Sequence, residues 1–449
     1  MNTTYDFMVR GLRAFRPMAT IFAAIAATGA LAADIELDRM AASYHSYEFT
    51  DVAWTPPPDG FRPFYISHYG RHGSRRINAH NGLHSEWIRK ILDDAAKSGN
   101  LTPLGRELLA DIVRLDEATA GSQGELTQRG VDEHRALARR MAARTPEVFA
   151  AGRHVDCRAT RSPRCLLSMA HFTLALSAVA PGLEVSYATG EKIHVMMTGL
   201  AYADPKPLKR RKAAGDGQYA RNVDSTRLLK SLFVDPAKVK KFDKPYEFSQ
   251  RLYVCASDCQ CLTAEIGQLD LWKYFTKEEI ATLFRCQSAA DLAAIGNAKE
   301  FKDEVPRAAS SVMLDIVERA DRAIAYKSVA ADLRFGHDSG IWPVAGFLQL
   351  EGPGDCIPMK EAWEKCPSWK YMSMATNIQI VFFRNATGDV LAKILWNERE
   401  TRVRGLKPAS GPYYAWPDLK AHILSRAASL RERGDPLTQP SVCWNAMRL

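Results

Sequence analysis

Apolar and polar positions follow two periods along this chain. Phe64-Tyr65-Ile66-Ser67-His68 is a short apolar, aromatic run that ends at Gly70, and it predicts a buried strand opening into a loop. Residues 85–97 and 106–115 carry apolar side chains at helical spacing. Gly124-Glu125-Leu126-Thr127-Gln128-Arg129-Gly130 predicts a turn into a helix running to about Ala143, with Thr127 as its N-cap. Ser162-Pro163 opens a further helix, and Leu166, Met169, Phe172 and Leu176 give it one apolar face. A helix over 341–350 follows an apolar stretch that ends at Phe335-Gly336. Near the C-terminus, 377–383 and 390–395 read as two strands around Asn385-Ala386-Thr387-Gly388, a hairpin.

Between these parts, 196–324 has few strand signals and many Lys, Asp and helix-forming residues. It predicts a mainly helical insertion, flanked by an α/β core made of 33–195 and 325–449. The length of 449 residues suits that division, and no internal repeat or low-complexity tract interrupts it. With 46% hydrophobic and 25% charged residues, the chain is excluded from the mostly disordered and the collagen-like classes.

Arg10, Arg13 and Arg16 precede an apolar small-residue run, and Ala30-Leu31-Ala32 follows as an A-x-A cleavage site. Residues 1–32 are therefore expected to be a signal peptide, giving an exported protein, periplasmic or secreted, that starts near Ala33. A retained N-terminal anchor is the competing reading; after cleavage no later stretch is apolar for long enough to span a membrane. Removal of three Arg and one Asp lowers the net charge from +9 to about +7. That excess suits an anionic small molecule and is too thin over this length to argue for nucleic acid. Nine cysteines in an exported chain lead us to expect disulfides, with Cys356 and Cys366 as a local pair. Cys255, Cys259 and Cys261 also offer thiolates for zinc, but their spacing lacks C-x2-C and a second cluster, so no metal is expected.

Three segments concentrate the chemistry. In Arg71-His72-Gly73-Ser74-Arg75, two guanidiniums flank one imidazole directly after a predicted strand. Arginine suits fork-like binding of phosphate, and adjacent positive charge favours a neutral, nucleophilic imidazole. A solvated basic turn fits the same residues. In Phe335-Gly336-His337-Asp338-Ser339-Gly340, a histidine and a carboxyl sit at a helix start. An aspartate facing a bound phosphate has its pKa raised by like charge and keeps a proton for a leaving group; helix capping is the alternative use. In Thr160-Arg161-Ser162-Pro163-Arg164, Arg164 lies near a helix N-terminus, where an anion is favoured, although an isolated arginine there is equally surface charge.

Together these segments resemble the branch of the histidine phosphatase superfamily that holds histidine acid phosphatases, phytases and multiple inositol polyphosphate phosphatases. Arg71-His72-Gly73-Ser74-Arg75 matches R-H-G-x-R, and Gly124-Glu125-Leu126-Thr127 with Gly130 resembles G-x-L-T-x-x-G. Arg164, four residues before Ser168, resembles the arginine of R-T-x-x-S, and His337-Asp338 matches the H-D pair. The resemblance implies a phosphoglycerate-mutase-like α/β core with an inserted helical domain, and a cofactor-independent phosphomonoesterase. It implies that His72 becomes a phosphohistidine, that Arg71, Arg75, Arg164 and His337 hold the phosphoryl oxygens, and that Asp338 protonates the departing alcohol. Ile77 stands where the family often has proline, and His337-Asp338 stands where many inositol polyphosphate phosphatases have His-Ala-Glu. The R-H-G-S-R form and Asn397-Glu398 are, in turn, similar to bacterial members grouped with those phosphatases.

The substrate expected from this resemblance is an inositol polyphosphate such as phytate. The basic run Lys206-Pro207-Leu208-Lys209-Arg210-Arg211-Lys212 opens the insertion, and Lys209, Arg210 and Arg211 are candidate substrate contacts if that run faces the cleft. If it faces away, a broad acid phosphatase for sugar phosphates or nucleotides fits as well. A non-catalytic phosphate binder and a mutase that returns the phosphoryl group to an acceptor are the readings from other classes.

Overall fold

The computed structural model describes residues 36–77, 84–199, 205–239, 244 and 246–430. The expected signal segment and Cys443 lie outside the described residues. An 8-stranded sheet runs in the order β3-β2-β4-β1-β5-β6-β7, with β8 pairing on β6. Its strands are β1 (Arg62–Arg71), β2 (His154–Ala159), β3 (Glu184–Ala188), β4 (Val329–Gly336), β5 (Asn377–Arg384), β6 (Val390–Trp396), β7 (Arg399–Glu400) and β8 (Tyr413–Ala415). The first four are parallel to one another, and β5 and β6 return antiparallel, the hairpin that the sequence predicts. The α/β expectation is borne out.

The longer helices are α1 (His84–Lys97), α2 (Pro103–Thr119), α3 (Gln128–Arg144), α4 (Pro163–Val179), α5 (Pro205–Asn222), α6 (Thr226–Leu232), α7 (Tyr246–Cys259), α8 (Lys277–Ile295), α9 (Ser310–Ala325), α10 (Asp338–Leu348) and α11 (Trp416–Ser429). Helices cover both faces of the central strands, which is why these strands read as nearly continuous apolar runs rather than as alternations. On one face, α9, α10 and α11 bury Ile316, Trp342 and Ile423 against Tyr65, Ile380 and Phe382. On the other, α3 and α4 bury Leu137, Met141 and Phe172 against Ile66, Val155, Leu333 and Val381.

A third apolar cluster lies beside the sheet. It joins Ile88 and Leu92 of α1 and Leu108 and Ile112 of α2 to Leu228 of α6, Phe248 and Leu252 of α7, and Phe284 of α8. The helical region therefore recruits α1 and α2 from the part of the sequence assigned to the core, while α9, from the end of the expected insertion, packs on the sheet. An amphipathic helix declares that it has an apolar face, not which neighbour will cover it.

Beneath the sheet a largely buried ion network links β2, β4 and α9. Arg334 donates to Asp315 at 2.6 Å, Arg158 to Asp315 at 2.9 Å and to Asp332 at 3.0 Å, and Arg319 to Asp332 at 2.9 Å and Asp156 at 2.5 Å. Tyr65 and Ser67 of β1 complete it, donating to Asp332 at 2.8 Å and accepting from Arg334 at 3.0 Å. Burial pushes the Asp315 carboxyl up, but Arg334, Arg158 and Arg319 outweigh it and hold that carboxyl well below the usual range.

The disulfide expectation is not met among the described residues: all eight described cysteines are free thiols. Cys366 is buried with its Sγ against the Gly352 carbonyl, whereas its expected partner Cys356 is exposed. No described helix is long and apolar enough to cross a membrane.

Candidate active site

Three neighbouring parallel strands end together. In register, Arg71 of β1 faces Gly336 of β4, and Ala159 of β2 faces Phe335 of β4, so His72, His337 and Thr160 all emerge from the same edge. This is the carboxyl end of the central strands, where open α/β sheets place their ligands. The His72 and His337 rings meet there, edge to face, with centroids 5.5 Å apart.

The tautomers follow from the partners. Nδ1 of His72 lies 2.9 Å from the Gly73 carbonyl, which can only accept, so Nδ1 carries the proton and Nε2 keeps its lone pair. Arg164 Nη2 lies 3.3 Å from Nδ1 of His337, and a guanidinium only donates. His337 therefore accepts at Nδ1 and donates from Nε2 to Thr160 Oγ1 at 3.1 Å. Burial, then Arg164, Arg71, His337 and Arg75, hold the His72 imidazole well below its usual pKa; burial and Arg164 do the same for His337. Both rings are neutral at ordinary pH, and His72 presents an unprotonated nitrogen.

Guanidiniums surround that nitrogen. Arg71 is buried, donates from Nη1 to the Ser43 and Met372 carbonyls at 2.7 Å each, and from Nη2 to Asp338 Oδ2 at 2.7 Å. The Nε atoms of Arg71 and Arg164 are buried with no hydrogen-bond acceptor. Arg75, also buried, donates to the Arg76 carbonyl at 3.0 Å and sits over the Tyr44 ring. Donors left unmatched in a positive, largely buried cup are what an oxyanion would satisfy. Asp338 stands at the rim with a side chain 31% exposed, and its Oδ1 accepts from the Ser339 N–H at 2.7 Å. Burial raises the Asp338 pKa, but Arg71, His337 and that N–H prevail and hold the carboxyl below its usual value. The raised value expected from the sequence belongs to a site carrying a bound dianion; Arg71 sets the opposite direction here.

The glycine-threonine motif acts on the loop rather than on the anion. The Thr127 backbone N–H and hydroxyl both donate to the Ser74 carbonyl at 3.0 Å, and the hydroxyl caps α3 by accepting from Gly130 N–H. Gly73 and Gly130 lie back to back. A Cβ on Gly73 would stand 2.6 Å from the Gly130 carbonyl, and one on Gly130 would stand 2.2 Å from that of Ser74. Gly73 N–H donates to Ser168 Oγ at 3.2 Å, which gives the serine of the third segment a task. Ile77, in the place of the usual proline, is buried among the helical-region residues, and its carbonyl accepts from Gly124.

Sequence reasoning missed Glu133, whose carboxylate accepts from the Ser74 N–H and hydroxyl at 2.7 Å each and from the Tyr47 N–H at 3.0 Å. It also missed Thr160 as the partner of His337. Glu133 lies six residues beyond Thr127, on the face of α3 that carries Gly130 and Leu137, and this was the available signal. The basic run forms the start of α5, but Arg210 and Arg211 both pair with Glu304, the latter at 3.2 Å with its side chain buried, while Lys209 is exposed. Their partners are thus protein carboxylate, not the His72 cup.

No family model matches the chain, and no curated protein matches it in sequence. Solved structures do match its fold. The multiple inositol polyphosphate phosphatase of Bifidobacterium longum, in complex with inositol hexasulfate, is 17% identical with a TM-score of 0.72 over 88% of this chain and 99% of its own. The phytase of D. castellii is 12% identical with a TM-score of 0.61, over 88% of this chain and 86% of its own. The phytase of Hafnia alvei, in its apo form, is 11% identical with a TM-score of 0.51, over 84% and 99% respectively.

Proposed function

We propose that the chain is a phosphomonoester hydrolase working through a phosphohistidine on His72, with inositol polyphosphates such as phytate as substrates. The observation that carries this reading is the unprotonated Nε2 of His72 at the base of a cup formed by Arg71, Arg75 and Arg164. In the first step Nε2 attacks phosphorus while the bond to the ester oxygen breaks, and Asp338 delivers a proton to the leaving alcohol. A bound dianion supplies that proton's stability, because it draws on Arg71 and adds negative charge beside Asp338. In the second step the Asp338 carboxylate takes a proton from water as the water oxygen attacks phosphorus. The P–N bond then breaks and returns its electron pair to Nε2. The arginines stabilise the phosphoryl oxygens throughout.

The inositol polyphosphate assignment is supported by the names of the fold neighbours. The pairing of Arg210 and Arg211 with Glu304 is the observation that favours a broader acid phosphatase acting on sugar phosphates or nucleotides, since it gives two of three candidate polyphosphate contacts a partner within the protein. We place the enzyme outside the cytoplasm, periplasmic or secreted, on the strength of the N-terminal segment, and N-terminal sequencing of the exported chain should begin near Ala33. The deciding experiment is phosphate release from phytate, sugar phosphates, nucleotides and an aryl phosphate, with chelator present. We expect release from the aryl phosphate and phytate, and a loss of about 10⁵-fold in His72→Ala. Turnover retained by His72→Ala would remove the nucleophile, and turnover of sugar phosphates with none of phytate would favour the broader reading.

A further inference from the structure

A second carboxyl reaches the cup from the helical region. Asp258, in the last turn of α7, is completely buried, and neither of its oxygens has a hydrogen-bond donor among the described residues. Its partner is Arg75, whose Nη1 lies 3.5 Å from Oδ1 and donates its hydrogen bond instead to the Arg76 carbonyl. A buried carboxylate with one offset counter-ion is poorly compensated and takes up a proton readily. The guanidinium it faces is the one assigned above to the phosphoryl group, and the inference rests on that assignment.

We propose that Asp258 is a positioning residue that sets the anion affinity of the cup through Arg75. Ionised, it holds the guanidinium as a counter-ion and competes with the phosphoryl group; protonated, it releases Arg75 to the ligand. Burial pushes the Asp258 carboxyl up to about 6 against the pull of Arg75 and Arg71, so the exchange falls in the mildly acid range. The other groups around Asp258 do not titrate there. Arg75 is held above its usual value because Asp258 and Tyr44 outweigh burial, the Tyr44 hydroxyl is pushed up by burial, and so are the thiols of Cys255, Cys259 and Cys261. His84 of α1, which packs against α7, is lowered to about 4 by burial, Arg251 and Arg75, and Asp116 of α2 acts on Cys255. Asp291 of α8 acts on Tyr44, and burial raises it as well, to about 6. Three other acids stand near the cup: Asp291, Glu133, which burial also raises, and Asp338, which Arg71 holds below its usual value against burial.

The sign is fixed by linkage: anion binding favours the protonated carboxyl, so affinity is full below the Asp258 pKa and falls as pH rises through it. Sulfate is the probe, because it stays a dianion from pH 5 to 7.5 and any pH dependence then belongs to the protein. By calorimetry the sulfate dissociation constant of the wild type should rise about tenfold across that range, within the usual span of such couplings. Asp258→Asn should hold the tight value throughout, and Asp291→Asn should keep the wild-type slope. With an aryl phosphate, Asp258→Asn should lower KM at pH 7.5 by about tenfold and leave kcat at pH 5 within about twofold. Wild-type binding in two buffers of different ionisation enthalpy should show proton uptake near pH 6.5, a measurement that needs no variant to fold, and Asp338→Asn should keep that uptake, which separates Asp258 from the rim carboxyl. A sulfate profile of Asp258→Asn that follows the wild type, a flat profile in Asp291→Asn, or no proton uptake overturns the proposal. PH-dependent sulfate binding without any turnover sinks only the phosphatase reading.

Discussion

Two sets of three arginines lie within this molecule, and they are compensated in opposite ways. Beneath the sheet, Arg158, Arg319 and Arg334 face Asp156, Asp315 and Asp332, three cations against three anions in direct contact. At the carboxyl edge of the same strands, Arg71, Arg75 and Arg164 have two nearby acids, Asp338 in contact and Asp258 at 3.5 Å. Burial of charge is costly wherever it occurs. A matched network meets that cost within the protein and ties β2 and β4 to α9. An unmatched one leaves it to be met by a ligand, so the same residue type marks structure in one place and the proposed anion site in the other.

The comparison breaks most severely if the matched network is opened. Asp315→Ala leaves Arg334 and Arg158 buried without their shared anion and should cost about 3–5 kcal/mol of stability, read from denaturant midpoints. Because the folded Asp315 pKa is depressed, its contribution is present above the unfolded value of about 4 and is lost as pH falls below it. Acid unfolding should therefore be steeper in the wild type than in Asp315→Asn. An equal slope in both would mean that the network is not the stabilising element described here.

At the cup, loss of an acid should affect chemistry in place of folding. Asp338→Asn should slow alkyl phosphate esters by about 10²–10³-fold and aryl phosphates much less, since only a poor leaving group needs the proton. Equal slowing of both would remove Asp338 as the donor. The smallest effect sharpens the contrast: inorganic phosphate at ten times its dissociation constant should stabilise the wild type by about 1.4 kcal/mol, seen as a rise in Tm. That increment should vanish in Arg164→Ala and persist in a variant of the exposed Lys209.

Much of the site was legible in the chain. The loop 71–75 follows a predicted strand, His337-Asp338 opens a helix, and Arg164 lies in a helix first turn, as each local pattern implied. The clamp around the loop was legible only in part, because Thr127 and Gly130 carry a capping pattern while Glu133 has only its place on the same helix face. Asp258 gave no signal at all, lying between Cys255 and Cys259 in a stretch that drew attention for its thiols. Arg210 and Arg211 show the converse, since a run of positive charge looks the same whether it faces an anionic ligand or a protein carboxylate such as Glu304.

By itself, then, the sequence determined the residue types, the local elements and the positions at strand ends and helix starts from which side chains can reach a common point. Those properties depend on backbone periodicity and capping, which act within a few residues. Only the tertiary structure decided which arginines are neutralised, which histidine nitrogen carries its proton, and that a carboxyl from α7 stands behind Arg75. Charge compensation and desolvation are properties of groups brought together from distant parts of the chain, and no local pattern contains them.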